Sequence, residues 1–411
     1  MHVRSILVFA ALCACSSAPL SPSGGAVSSC DVLPLLGKVV PTALASDGAG
    51  GIALAGTSTG TQLRSGLAVM EGQGGFVLRA GADGEVGWIR NLGAVRPLAA
   101  AIAPDGSVIV VGQAQRHCFA ARLSGDGRGA WTSRLTGDGE SNCRAVALDP
   151  RSGDLWAVGE FTGSMGPVRS QGLTDAMVLK IVGATGEMRL VRTFGSRGTD
   201  SATSVAVTAS GDAIVGGSFG ADVDASVAAA DFGRGAVPGA GGADGYVVAL
   251  SPEGGTRWAS VVGEQGEDEV VAVAARGTAV YAAANVHRER QGAQCGGHVL
   301  ILRRGEWVRV IEDPCASARA AAFDGAGRLW ALENVGRALR ALAFAPRDGE
   351  PLGSRTWAGD RSSVRGAAMA SVPGGFAVAA TTDGESMACG KPVGNAGEQT
   401  AFVVWVRDLS P

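Results

Sequence analysis

Gly51–Gly56 reads GIALAG, a short run of small and apolar residues preceded by a turn. Runs of the same small–apolar–small form return at Ser107–Gly112 (SVIVVG), Asp154–Gly159 (DLWAVG), Asp212–Gly217 (DAIVGG), Thr278–Ala283 (TAVYAA), Arg328–Glu333 (RLWALE) and Gly375–Ala380 (GFAVAA). Their starts lie 47 to 66 residues apart. A run this short and apolar reads as a strand buried on both faces, and recurrence at this period marks a repeat that carries one four-stranded blade per copy.

The best-preserved unit supplies the other strands. Thr203–Val207 (TSVAV) reads as the innermost, Asp212–Gly217 as the second, Tyr246–Leu250 (YVVAL) as the third and Arg257–Val262 (RWASVV) as the outermost. Innermost runs elsewhere are Ala- and Val-rich, as at Ala100–Ala103, Ala145–Leu148, Val270–Ala274, Arg319–Phe323 and Gly366–Ala370, which suits strands crowded around an axis. Outermost runs carry a bulky group near their start: Trp88, Trp131, Leu190, Trp258, Trp307 and Trp357. One such group per repeat at a fixed place fills the widening wedge between blades and is structural. Turns such as Asp83-Gly84, Asp126-Gly127 and Glu253-Gly254 join the third and fourth strands, with Gly supplying the positive φ of a tight hairpin. No segment has helical periodicity with helix-like length and caps.

The chain ends on Ala401–Arg407 (AFVVWVR), a third strand without a fourth, and Asp31–Leu36 (DVLPLL) is a fourth strand without a third. Joined, they complete one blade. The expectation is an all-β, seven-bladed β-propeller of four-stranded antiparallel blades, spanning residues 30–411 and closed by its N- and C-terminal strands.

Net charge is −3 and only Lys38, Lys180 and Lys391 are lysines, so no clustered basic face for nucleic acid is expected. Met1–Arg4 and the apolar Ser5–Leu12 read as an export signal too short to span a bilayer. Leu12-Cys13-Ala14-Cys15 resembles the bacterial lipobox, which implies a signal peptide over 1–14 and lipidation at Cys15. Ser16–Ser29, rich in Ser, Pro and Gly, reads as part of a flexible tether over 15–29. Ser16 after the lipidated residue is similar to the outer-membrane sorting signal, so the expected address is the cell envelope as an outer-membrane lipoprotein, with membrane contact through the anchor only.

Six cysteines follow: Cys30, Cys118, Cys143, Cys295, Cys315 and Cys389. An even number in an oxidising compartment points to three disulfides. Cys118 and Cys295 each precede a third strand, and Cys143 and Cys315 each follow a fourth, so Cys118–Cys143 and Cys295–Cys315 occupy the same place in two blades. Cys30–Cys389 is what remains. It requires the loop Thr381–Gln399 to fold down or the N-terminal strand to depart from register, because strict register separates the two along their strands. None of the six has zinc-site spacing.

At Gly217–Leu250 the motifs Ser218-Phe219, Asp231-Phe232-Gly233 and Gly241-Gly242-Ala243-Asp244-Gly245-Tyr246-Val247 stand in order, and GSRGTD (Gly195–Asp200) and GEQGED (Gly263–Asp268) flank the unit. These resemble the bacterial β-propeller repeat known as SBBP, found in many lipoproteins. The resemblance implies the fold and carries no activity. The fifth and sixth blades depart most, with Asp313-Pro314-Cys315 in place of the glycine loop and a shortened loop at Asn334–Arg337.

Long loops fall at Thr57–Gln73, Glu160–Thr174, Ser218–Asp244, Asn285–Gly296 and Thr381–Gln399, all on the face that propellers commonly use for binding. Asp222, Asp224, Asp231 and Asp244 lie in the longest, but the sequence around Asp222-Val223-Asp224 lacks the alternating oxygens of a calcium loop. Asp200 and Asp268, with Asn142 as equivalent, recur at one repeat position, which suits capping of backbone N–H groups. His117, His287 and His298 have no carboxylate placed to orient them, a Gly-x-Ser-x-Gly elbow is absent, and Asp231-Phe232-Gly233 lacks kinase context. No catalytic residue, metal or cofactor is expected. The functional expectation is a lipid-anchored, non-catalytic module that binds an envelope protein or glycan through its long-loop face. A quinone-dependent dehydrogenase or polysaccharide lyase on the same scaffold is the alternative.

Overall fold

The computed structural model describes residues 27–411 except 167, 224–227, 278, 287, 291–292, 296–297, 304–305, 313–315, 346–349, 358–361, 395–398 and 410–411; for 27–29, 288–290, 293–295, 298–303, 306–312 and 408–409 it describes the backbone alone. Among the described residues every regular element is a strand.

Seven four-stranded antiparallel sheets form the blades. Six are built from consecutive chain, with innermost strands Val39–Ser46, Val95–Ile102, Ser141–Leu148, Thr199–Val207, Glu269–Arg276 and Ala316–Phe323. These are blades 1 to 6. Blade 7 is composite: Val364–Val372, Gly375–Thr382 and Thr400–Leu409 come from the C-terminal end, and Val27–Leu35 is the outermost strand. Val27 pairs with Leu409 and Leu35 with Ala401. That strand starts at Val27, so residues 27–29, expected in the tether, belong to the blade. The seven innermost strands contact one another in cyclic order, blade 7 against blade 1 included, which closes the ring.

Every innermost strand carries a β-bulge at the same level. The extra residues are Thr42, Leu98, Arg144, Thr203, Val271, Arg319 and Ala367. A bulge kinks its strand and breaks the ladder locally. Here it presses the carbonyl two residues earlier onto the second strand. A Cβ at Gly56, Gly112, Gly159 or Gly217 would overlap the carbonyl oxygen of Val40, Arg96, Asn142 or Ser201 respectively. The terminal glycine of four of the seven diagnostic runs is thus a packing requirement.

In blades 2, 3, 5, 6 and 7 the residue ahead of the bulge is also where the preceding blade takes hold. The Thr42 hydroxyl donates to the Pro97 carbonyl at 2.8 Å and that of Thr203 to Val270 at 2.5 Å. Asn285 accepts from Ala318 N at 2.8 Å, and Asn334 accepts from Gly366 N at 3.1 Å. Between blades 2 and 3 the link is covalent: Cys118 and Cys143 are disulfide-bonded, Cα atoms 5.1 Å apart. Sequence placed this bond within one hairpin. Cys118 in fact lies inside the third strand His117–Leu123, and Cys143 inside the innermost strand of the next blade. The bond therefore fastens two blades together.

The five long loops are not free-standing. Each contains a two-stranded hairpin: Gln62–Ser65 with Ala68–Glu71, Ser164–Met165 with Val168–Arg169, Ala229–Asp231 with Ala236–Pro238, Arg288–Arg290 with Ala293–Cys295, and Ser386–Ala388 with Lys391–Val393. Where side chains are described, the hairpin packs into the wedge toward the preceding blade. Leu63 and Met70 join Leu33 and Leu35 of blade 7, Met165 joins Leu135 of blade 2, and Ala388 and Val393 join Trp357 of blade 6. Phe232 sits with its ring centroid 5.7 Å from Phe194 of blade 3 and 4.8 Å from Tyr246. The last hairpin also carries Cys389 to Cys30, Cα atoms 5.4 Å apart, so the expected folding down of that loop occurs. The Cys295–Cys315 expectation lies outside the described residues, Cys295 being described by its backbone alone. Trp88 and Trp131 span to the next blade as expected, each donating its indole N–H to a turn carbonyl, of Gly125 at 2.9 Å and Gly183 at 3.0 Å.

Gly159→Ala should destabilise the protein by about 2 kcal/mol or more, because backbone must move to admit the methyl group. Gly129→Ala, where a Cβ meets open space, should stay within about 0.5 kcal/mol of the parent. Urea unfolding midpoints of the two variants check this.

Candidate functional site

With the hairpins folded into the wedges, the mouth of the axial channel remains on the expected binding face. Two rings of residues surround it. One comes from the innermost strands, two positions before each bulge: Val40, Arg96, Asn142, Ser201, Glu269, Ser317 and Arg365. Directly opposite, on the second strands, stand Thr57, Gln113, Glu160, Ser218, Asn285, Asn334 and Thr381. All seven in the second ring are polar, and in six blades that residue comes directly after the diagnostic apolar run (in blade 5 one residue later). The signal was present in the sequence, but its meaning depends on the bulge register.

Arg144, a bulge residue, reaches up to this ring. Its Nε and Nη2 each donate to the Glu160 carboxylate at 2.7 Å, and Asn142 Nδ2 donates to Glu160 Oε1 at 2.9 Å. The hydrogen-bonded Glu160 carboxylate, with Glu269 more distantly, holds the Arg144 guanidinium above its ordinary value against the effect of burial. Arg96, Arg319 and Arg365 are exposed at the same end of the innermost strands.

The recurrent acids do structural work. Asp200, buried, accepts from Ser196 N at 2.6 Å, Ser196 Oγ at 2.8 Å and Gly220 N at 2.9 Å. Asp268 accepts from Glu264 N at 2.6 Å. The bulge register corrects the third member: the equivalent residue in blade 3 is Ser141, which accepts from Cys118 N at 2.9 Å, and not Asn142, which belongs to the ring above. Sequence reading missed a second set, Asp175 and Asp244, each fully buried at the head of a third strand. Asp175 accepts from Ser170 Oγ at 2.9 Å and Gln171 N at 3.0 Å; Asp244 Oδ2 accepts from Ala240 N at 2.8 Å. Asp244 Oδ1 lies against the Cα of Gly263, leaving no room there for a side chain. That contact gives the first glycine of GEQGED its reason.

The acids of the longest loop do not gather. Asp222 accepts from Thr199 Oγ1 at 2.7 Å, and Asp231 Oδ1 accepts from the backbone N–H groups of Gly233, Arg234 and Gly235. Asp224 lies outside the described residues. In Asp231-Phe232-Gly233 the acid caps the turn, Phe232 is the buried wedge, and Gly233 takes a φ of 88°. His117 lies in the third strand of blade 2, while the His287 and His298 side chains are outside the described residues. Among the described residues, no group of three or more His, Cys, Asp or Glu side chains is arranged to hold a metal ion.

No family model matches the chain, and no curated protein matches it. Solved structures resemble it in fold. U3-55K aligns with a TM-score of 0.54 at 11% identity, covering 91% of this chain and 98% of that one. Virginiamycin B lyase from Staphylococcus aureus aligns at 0.50 and 10% identity, covering 92% and 99%. The β-propeller domain of Myceliophteria thermophila Cps50 (Swd1) gives 0.49 and 10%, covering 90% and 99%. At such identities the likeness to U3-55K and to virginiamycin B lyase speaks for the fold alone.

Burial pushes the carboxyls of Asp200 and Asp244 up from the ordinary range, more strongly than their backbone donors pull them down. A carboxyl raised on folding binds its proton more tightly in the native state. Its stabilising contribution is complete below the unfolded value near 3.9 and is lost as pH rises through the folded value. Asp244→Asn keeps the acceptor for Ala240 N and removes the titration. It should therefore gain stability relative to the parent as pH rises from about 4 to 7. Asp200→Ala strands three donors and should cost about 2–4 kcal/mol at pH 5. Denaturation curves at several pH values test both.

Proposed function

We propose that this chain is a lipid-anchored, non-catalytic binding module of the bacterial cell envelope, built of SBBP-type repeats, which holds a protein or glycan partner at the channel mouth. The observation that carries this reading is the double ring of polar and charged side chains at that mouth. The buried carboxylates, by contrast, are spent on the backbone of their own loops. A further feature supports it. The described chain enters at Val27, which pairs with Leu409 at the end of blade 7 remote from the mouth. An anchor at Cys15 thus leaves the mouth facing away from the membrane, available to a partner.

Crosslinking in intact cells, followed by recovery of the chain, should capture a specific partner with the native form. A Cys15→Ser form, released from the membrane, should lose that partner or recover it weakly. Equal recovery of nothing by both forms would remove the envelope-binding role.

A further inference from the structure

We propose that the channel mouth carries an arginine arc that recognises an acidic peptide segment of the partner; this rests on the binding reading above and makes it specific. Blades 6, 7 and 2 place Arg319, Arg365 and Arg96 on their innermost strands at or just above the bulge. Blade 1, between blades 7 and 2, contributes Val40, which is 44% exposed, and its entry segment bears the exposed Lys38. The innermost strands of blades 6, 7, 1 and 2 are successive neighbours, so these cations stand on one contiguous side of the rim.

The charge across the mouth is uneven. On blade 3 Arg144 is taken by Glu160, and blade 5 presents Glu269. Arg96, Arg319 and Arg365 make no side-chain hydrogen bond or ion pair among the described residues, although all three are exposed. Guanidinium groups held on a rigid strand and left without counter-ions suit carboxylates, which they can bind in two-point fashion. Arg144 and Glu160 show that geometry within the same ring.

The apolar surroundings favour a peptide over an acidic glycan. Val40 lies in the arc, and Leu36, 57% exposed, stands at the entry to blade 1. The large exposed apolar side chains of the described residues are Leu, Val and Met, with no aromatic ring offered as a stacking platform for a sugar. Acidic side chains alternating with aliphatic ones match both halves of the site: carboxylates to the arginines, aliphatic groups to Val40 and Leu36.

The test is fluorescence anisotropy with the purified full-length chain in mild detergent. The probe is a fluorescein-labelled peptide of alternating glutamate and leucine. Its glutamine-for-glutamate analogue, polygalacturonate and inorganic phosphate serve as competitors. The expected result is binding that weakens with added salt and by roughly three- to tenfold for each of Arg96→Gln, Arg319→Gln and Arg365→Gln. Arg128→Gln, in an exposed third-to-fourth turn on the opposite face, should leave it unchanged. Because the three arginines are exposed, unchanged thermal midpoints will separate loss of the site from loss of the fold. Binding that survives in the triple variant overturns the proposal, as does competition by polygalacturonate or phosphate as effective as that of the unlabelled peptide. If the triple variant still captures the cellular partner, the arginine site falls while the binding role stands. If the peptide binds as expected but cells yield no partner, the role in the envelope falls and the acidic-peptide site stands.

Discussion

Each innermost strand buckles at a bulge of the same height, and in blades 2, 3, 5, 6 and 7 the residue ahead of that bulge is the point the preceding blade grips. A hydroxyl, an amide or a disulfide does the gripping, according to the blade. The bulge has two structural effects. It aims backbone groups sideways that a regular ladder would consume, so neighbouring blades have something to hold. It also drives a carbonyl onto the second strand, which requires glycine at four positions. Ring closure, channel dimensions and the height of the charged rim all depend on this repeated joint.

The wedge between blades widens away from the axis, and apolar volume must fill it. Indoles at the start of the outer strands fill part, and the inserted hairpins fill more. Leu63, Met70, Met165, Phe232 and Val393 are buried side chains on segments that a loop-length argument assigns to the solvent. The consequence for function is direct. Loops that fold down to pack do not stand up to bind, and they leave the channel mouth as the place of the proposed binding. The same economy explains the acids: Asp175, Asp200 and Asp244 satisfy loop backbone that would otherwise be buried without partners.

Much of the fold was legible because it follows from local pattern. Seven apolar runs, turns with glycine at the second place, and two unpaired half-blades at the chain ends define a closed ring without any knowledge of contacts. Pairings across blades were less legible. The Cys118–Cys143 bond was anticipated but assigned to one hairpin, since strand boundaries shift by a few residues and such a shift moves a cysteine into the next blade. Asn142 was aligned with Asp200 for the same reason: without the bulge register, neighbouring polar residues cannot be told apart.

What the sequence by itself determined is the repeat, the all-β architecture and the way the chain ends meet, because period and alternation are properties of the string. Only the tertiary structure decided which residues face the channel. Arg96, Arg319 and Arg365 lie more than 40 residues apart in sequence and share no motif. They come to one arc because the ring wraps blade 7 against blade 1 and because each bulge turns its strand at the same height. Proximity of that kind is created by closure of the chain upon itself, and a linear pattern does not contain it.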